Sequence, residues 1–268
     1  MSGVNTYAHK TLSIRISTDG FCFCSYIPSD PQSLQYVSYP ADETLSLAAN
    51  LDRALEKCPF MAKEHPNEIQ AIIETCDYTT IPVEYDEKQE YKVYYRSCFP
   101  KCEPGDEIVA NRLPAQGFTV IFPVAKEIHE ILQRIGNVTY FTPASILMGY
   151  ISRAEFEDER YMIMYINGEQ MLIMTVEEGK VKFSNSFTAT GNEDLLFYML
   201  SIWKEQGLSQ TDDALYLCGN REIEEMQLLV SKFIKNRKRI NPNEVFAPNL
   251  LNRTQGIPFD LQALILCE

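Results

Sequence analysis

Strand-length apolar runs come in two groups of three along this chain. The first is TLSIRISTDGFCFCSYI, residues 11–27, followed by a run from Leu34 to Tyr39. The second is ERYMIMYINGEQMLIMTVEEGKVKFSNSF, residues 159–187. Asp19-Gly20 punctuates the first group, and Asn167-Gly168 and then Glu178-Gly179 punctuate the second. Asp-Gly and Asn-Gly between apolar runs are strong short-range hairpin signals, because a type I′ turn needs φ > 0 at both central residues. The pattern predicts a three-stranded antiparallel meander at the start of each half. It also predicts two-residue hairpins closed by Asp19-Gly20 and Asn167-Gly168.

After each meander the period changes. Leu45, Ala48, Leu51 and Leu55 recur at helical spacing, with Asp42 as the expected cap and Pro59 as the stop. EIQAIIET (68–75) reads as a buried strand and TTIPVEY (79–85) as another. DEKQEYKVYYRSC (86–98) reads as a helix with Tyr91, Tyr94 and Tyr95 on its apolar side. FTVIF (118–122) is a strand. Val124, Ile128, Ile131, Leu132 and Ile135 form a helical stripe stopped by Gly136. A short strand from Val138 to Phe141 leads to a helix opened by Pro143.

In the second half, Asn192 is the expected cap of a helix carrying Leu195, Leu196, Met199, Ile202 and Trp203, closed by Gly207. ALYLC (214–218) is a buried strand. Asn220 is the expected cap of a helix through Ile223, Met226, Val230 and Phe233. The stretch 241–256 is rich in Asn and Pro and reads as irregular, while FDLQALILC fits a strand or a helix. The polar SRAEFEDE (152–159) marks the expected boundary between domains 1–153 and 154–268, with an inserted segment near 78–115 in the first.

Each half thus reads as three antiparallel strands, a helix, a strand and a helix. A dinucleotide-binding fold would alternate βαβ from the start and carry a Gly-rich first turn, and neither is present. The order resembles the α/β actin-like ATPase fold, in which two ribonuclease-H-like lobes face each other across a cleft. The segment 78–115 would be an insertion, as in cell-division and pilus-assembly members of that superfamily. LSIRISTDGFCFCSYI, IPVEYDE, FPVAKEIHEIL and TYFTPASILM are similar to an uncharacterised Bacteroidetes family, a domain of unknown function, over nearly the whole chain. That resemblance implies the actin-like fold and supplies no activity.

It also implies where a nucleotide would sit. In active members of the superfamily an Asp-x-Gly turn in each meander opens backbone N–H groups toward phosphate, a concave anion site. Here Asp19 and Gly20 are adjacent, and Phe21 stands where Ser or Thr is expected. Asn167 replaces the second Asp, Gly168 follows without a spacer, and Glu169 adds a negative charge. Gly219 matches the first glycine of an adenosine-contacting pair, and Asn220 replaces the second. Asp19, Gly20, Asn167, Gly168, Gly219 and Asn220 are therefore candidates for a degenerate nucleotide site. ATP and Mg²⁺ enter only if this divergent cleft still binds them, with Asp19 holding the ion through water.

Composition narrows the partners. The 268 residues carry a formal net charge of −13, which repels nucleic acid. KFIKNRKR (232–239) is the basic exception and reads as a helix end, where cations complement the macrodipole. No apolar run reaches the ~18 residues of a membrane span. The opening MSGVNTYAHK lacks an apolar h-region, so a cytoplasmic protein with reduced cysteines is expected. Of the eight cysteines, Cys22, Cys24, Cys76 and Cys218 fall in strand-like settings and read as buried thiols. Cys98 and Cys102 lack a second ligand pair, so no metal is expected. His9, His65 and His129 have no partner that would make a triad, with His129 expected at the solvent edge of its helix. The acidic residues Glu155, Glu157, Asp158 and Glu159 read as a solvated linker.

The expected function is a non-catalytic scaffold of the actin-like fold that binds another, unidentified, protein. One alternative is a divergent ATP-binding protein or ATPase of the same fold. The other is a small-molecule phosphotransferase, which needs a general base the sequence does not nominate.

Overall fold

The computed structural model describes residues 9–63, 66–219, 223–240 and 256–267. The first meander is β1 (Thr11–Ser17), β2 (Gly20–Ile27) and β3 (Asp30–Pro40). Then come α1 (Leu47–Lys57), α2 (Pro59–Lys63) and β4 (Glu68–Ile73). An inserted unit follows: β5 (Thr79–Pro82), α3 (Tyr91–Cys98), β6 (Glu107–Leu113) and β7 (Phe118–Val124). The first lobe resumes with α4 (Lys126–Gln133), β8 (Val138–Phe141) and α5 (Pro143–Ile151). The second lobe repeats the pattern: β9 (Arg160–Asn167), β10 (Gln170–Glu177), β11 (Lys180–Thr188), α6 (Asn192–Glu205), β12 (Ala214–Gly219), α7 (Ile223–Val230) and β13 (Asn236–Arg239). The last described element is α8 (Phe259–Leu266).

The two five-stranded sheets have the same order, β3-β2-β1-β4-β8 and β11-β10-β9-β12-β13. In each, the meander is antiparallel and the remaining strands add in parallel. A central strand covered on both faces is buried along its whole length. β1 is buried at all seven positions. Its alternation places Leu12, Ile14 and Ile16 on one face and Thr11, Ser13, Arg15 and Ser17 on the other. The second lobe packs Met162, Met164, Leu215 and Leu217 against Met199 and Trp203 of α6 and Met226 and Val230 of α7. α5 and α8 pack against each other. No helix of the described residues is long and apolar enough to cross a membrane.

Both hairpins have two-residue loops, displaced by one residue from expectation. Ser17 pairs with Gly20, so Thr18 and Asp19 form the first loop. Asn167 pairs with Gln170, so Gly168 and Glu169 form the second. Gly168 has φ +56° and Glu169 has negative φ, the sign pattern of a type II′ turn with glycine first. Thr18 and Asp19 also have negative φ, so the first loop is not of the I′ type. Glycine at 20 answers a different need: a Cβ there would lie 2.5 Å from the carbonyl oxygen of Tyr39. The Glu178-Gly179 turn, with φ of 51° and 70°, is where both positions are left-handed.

Other boundaries move for local reasons. α1 is capped by Ser46, whose hydroxyl accepts from Ala49 N at 3.2 Å, while Asp42 accepts from Thr44 N at 3.1 Å upstream. α6 begins at Asn192 with Gly191 as its N-cap, and Asp194 accepts from Thr190 N at 3.1 Å. β6 (EIVANRL) is missed by the apolar pattern because it is an outer strand with only Ile108 fully buried. FTVIF belongs to β7, the centre of the inserted sheet β5-β7-β6, and not to the main sheet. The inserted sheet and α3 share a small core of Ile81, Tyr91, Tyr95, Ile108 and Ile121. FDLQALIL resolves as helix α8, buried at six of its eight positions. The expected cap Asn220 and the stretch 241–255 lie outside the described residues.

The inserted unit also joins the lobes. The Gln116 side chain donates to Gly179 O at 3.0 Å and accepts from Val181 N at 2.9 Å, clasping the β10–β11 hairpin. Lys180 Nζ donates to Ala115 O, and Tyr78 Oη lies 2.5 Å from Ser184 Oγ on β11.

Candidate functional site

Between the lobes, beyond the carboxyl ends of β1 and β12, lies a cavity of about 460 Å³. Asp19, Gly20, Asn167 and Gly219 all line it. Four of the six candidates, remote in sequence, therefore meet at one place. Gly168 sits in its turn outside the lining, and Asn220 falls outside the described residues. Gly219 is where β12 passes closest to β9: a Cβ there would lie 1.9 Å from Ile166 O. Its absence of a side chain is a requirement of the sheet, whatever the cavity holds.

The residues that dominate the electrostatics here were not nominated from sequence. Arg15, on the polar face of β1, is 3% exposed and reaches the cavity. Its Nε donates to Asp260 of α8 at 3.1 and 2.8 Å, and its Nη2 lies 3.3 Å from Glu74 Oε2, just past the end of β4. Asp19, largely exposed in its turn, stands 3.9 Å from Nη1. Asn167 Nδ2, from the second lobe, donates to Glu74 Oε1. The cluster thus ties β1, β4, α8 and β9 together. Burial opposes the Arg15 charge, but Asp260, Tyr165 and Glu74 outweigh it and raise its pKa. Burial raises the pKa of Glu74 against the pull of Arg15, Ser17 and Asn167. Burial likewise raises Tyr165, aided by the Asp260 charge. A lone Arg in TLSIRIS and a lone Asp in FDLQALIL were the available signals, since charges on buried faces require partners.

The Arg15 guanidinium is already shared by two carboxylates, and Asp19 adds a third nearby. Both turns are tied to the residue just past the third strand of their meander, Ala41 N donating to Asp19 O at 3.0 Å and Ala189 N to Glu169 O at 2.7 Å. Both hairpins are two-residue loops.

The remaining sequence candidates are placed as follows. His129 is half-buried, between buried Ile128 and exposed Glu130, with its ring 5.5 Å from that of Tyr140. His9 is exposed and His65 lies outside the described residues. All eight cysteines are free; Cys22, Cys24, Cys58 and Cys218 are buried, Cys76 is half-buried and Cys98 exposed. Among the described residues, no three His, Cys, Asp or Glu side chains converge as a metal site needs. The acidic stretch is not a uniformly solvated linker. Asp158 accepts from Tyr216 Oη at 2.7 Å, Lys238 Nζ at 2.8 Å and Asn236 Nδ2 at 3.1 Å. Burial raises its pKa, but those donors outweigh it and hold the carboxyl below its ordinary value. The second half of the basic stretch is strand β13 and not a helix end, with Lys238 paired to Glu157 and Asp158 and Arg239 to Glu224.

The model of a family described as Protein of unknown function (DUF3822) matches residues 3–236. No curated protein matches the chain. Among solved structures, a Bacteroides thetaiotaomicron protein with an actin-like ATPase fold and unknown function is 25% identical, with a TM-score of 0.81 and 100% of each chain covered. A chain of the PilM–PilN type IV pilus biogenesis complex is 12% identical, with a TM-score of 0.60 and 96% of each chain covered. The architecture is that of the actin-like ATPase fold, with two ribonuclease-H-like lobes each opened by an antiparallel meander.

Proposed function

The chain belongs to the DUF3822 family of proteins of unknown function, and on that premise we propose that it is a non-catalytic scaffold that binds another protein. The observation that carries this reading is the occupied floor of the cleft. Arg15, the buried cation facing the cavity, is hydrogen-bonded to Asp260 and ion-paired with Glu74, though its Nη2 makes no hydrogen bond, and Asn167 of the other lobe is bound to Glu74. Breaking such a buried set to make room for a phosphate leaves an uncompensated charge, at a cost of about 3–5 kcal/mol. The clasp of Gln116 on the β10–β11 hairpin adds a second tie between the lobes. A chain that does not work its cleft still offers surfaces and strand edges to a partner. PilM, whose fold it shares, occurs in a complex with PilN; for the present chain a protein partner is an inference by analogy.

The alternative is a divergent ATP-binding protein. It is favoured by one observation: Asp19, Gly20, Asn167 and Gly219 line a single cavity of ligand size, ~300–1,000 Å³ being usual. Gln262 Oε1 also lines it, buried and without a hydrogen-bond partner. A small-molecule phosphotransferase would further need a general base with access to substrate, and Glu74 and Asp260 are committed to Arg15.

Equilibrium binding and turnover of labelled ATP, with and without Mg²⁺, separate these readings. The scaffold gives no hydrolysis above background and recovers a specific partner from extract. Asp19→Ala then costs about 1 kcal/mol of stability and leaves partner recovery intact. Mg²⁺-dependent hydrolysis that disappears in Asp19→Ala, with the fold retained, would overturn the scaffold reading.

A further inference from the structure

β3 ends the first lobe's sheet, and among the described residues β2 is the one element it lies against at length. That pairing fixes which way its backbone points. Tyr39 is opposite Phe21, Val37 opposite Phe23 and Gln35 opposite Ser25, and Ala41 N donates to Asp19 O at the next step of the same alternation. Hydrogen-bonded and non-bonded pairs alternate in an antiparallel ladder. Gln35, Val37, Tyr39 and Ala41 therefore turn their backbone groups to β2. Tyr36 and Ser38 turn theirs outward, as Leu34 does its carbonyl, and among the described residues none of these groups has a hydrogen-bond partner. The run stops at Pro40, which has no N–H. At its other end Gln32 N is donated to Asp30 Oδ1 at 3.0 Å.

From Pro31 to Ala41 there is no charged residue, in a chain that is 23% charged with a net charge of −13. Open sheet edges are ordinarily blunted by charge or by cover. The other edges of the two main sheets are treated in that way. Tyr140 O of β8 accepts from Asn111, β11 is clasped by Gln116 and carries Lys180 and Lys182, and β13 carries Arg237, Lys238 and Arg239.

We infer that this edge pairs with the same edge of a second copy of the chain, antiparallel about a two-fold axis at Tyr36. Two observations select a second copy as the occupant. The outward groups are self-complementary: Tyr36 meets Tyr36 of the other copy, and each Ser38 N–H meets the other copy's Leu34 carbonyl, giving about four backbone hydrogen bonds. The register ends by itself, because Pro40 falls opposite Gln32, the one without an N–H and the other with its N–H already donated. The second observation is charge. Two chains of −13 repel, so they approach where the surface carries no charge, and a charged partner segment would find no counter-charge here. The nearest acid past Pro40, Asp42, is ion-paired with Arg53 at 3.3 Å. The half-buried Tyr36 rings, each with Oη 3.2 Å from its own Cys22 Sγ, would stand opposite each other as a cross-strand aromatic pair. The product is one continuous ten-stranded sheet through two first lobes. This assignment is independent of the scaffold reading, since it needs no other protein.

Sedimentation velocity of the full chain from about 1 to 100 μM should show one chain passing to two, the range of a small, reversible interface. Hydrogen exchange read residue by residue over the same concentrations should slow at the amides of Tyr36 and Ser38. It should stay unchanged at Val37 and Tyr39, which are already bonded to β2. Ser38→Pro removes an exposed N–H that bonds nothing within one chain, and should weaken dimerisation at least about tenfold, since two hydrogen bonds are lost across the axis. Should Ser38→Pro fail to fold, the alternating exchange pattern of the wild type carries the test. A chain that stays single at 100 μM, by order of magnitude the top of that range, would overturn the inference. So would a dimer that leaves the Tyr36 and Ser38 amides unchanged or is indifferent to Ser38→Pro. Amides that slow only when cell extract is added, with the chain still single, would assign the edge to a strand of another protein and overturn the second copy.

Discussion

Glu74 is an acid whose burial raises its pKa although Arg15 stands 3.3 Å away. Its folded-state pKa lies above the ordinary 4.5, so its contribution to stability is fully present below that pH. The contribution is lost as pH rises through the folded value. Glu74→Gln keeps an oxygen for Asn167 Nδ2 and removes the titration. Urea denaturation of both proteins from acid to neutral pH should show wild type losing stability relative to Glu74→Gln as pH rises above 4.5; parallel curves would disprove the assignment. Residue chemistry of this kind was only half legible in the sequence. Arg15 and Asp260 stand out as charges among apolar neighbours, but 245 positions separate them, and nothing in either local pattern names the other.

At the scale of elements, the spacing of apolar residues located most strands and helices, because burial on one or both faces imposes period 2 or 3.6. It failed where burial is partial, as in β6, and where a segment is apolar all round, as in α8. The hairpins were foreseen as two-residue loops, yet each was placed one residue off: Gly20 begins β2 and is not in its loop, while Gly168 opens its loop where it was expected to close it. At position 20 glycine instead permits the close approach of β3. Gly219 plays the same part between β12 and β9. Gly219→Ala would set a Cβ 1.9 Å from Ile166 O, and should cost about 3 kcal/mol through backbone displacement. Gly191→Ala, with open space around it, should cost less than about 1 kcal/mol. Thermal or chemical unfolding of the pair checks this; equal stabilities would show that the close approach relaxes freely.

For the whole molecule, the two lobes are joined through the Arg15–Glu74–Asp260 cluster with Asn167, and through the clasp of Gln116 on the second lobe. The scaffold reading expects no closure on nucleotide. A compact chain of this length has a radius of gyration of about 18 Å. Small-angle scattering should return the same radius with and without Mg²⁺–ATP, and a contraction of more than about 1 Å would contradict a fixed cleft. The repeated meander-helix-strand-helix order was determined by the sequence itself, since local periodicity and turn chemistry act within a few residues. The pairing of Arg15 with Asp260, the bridging role of the insertion, and the open outer edge of β3 were decided only by the tertiary structure. Each depends on which remote segments are brought together, and the energy of burying a charge or leaving a strand edge unpaired exists only once they meet.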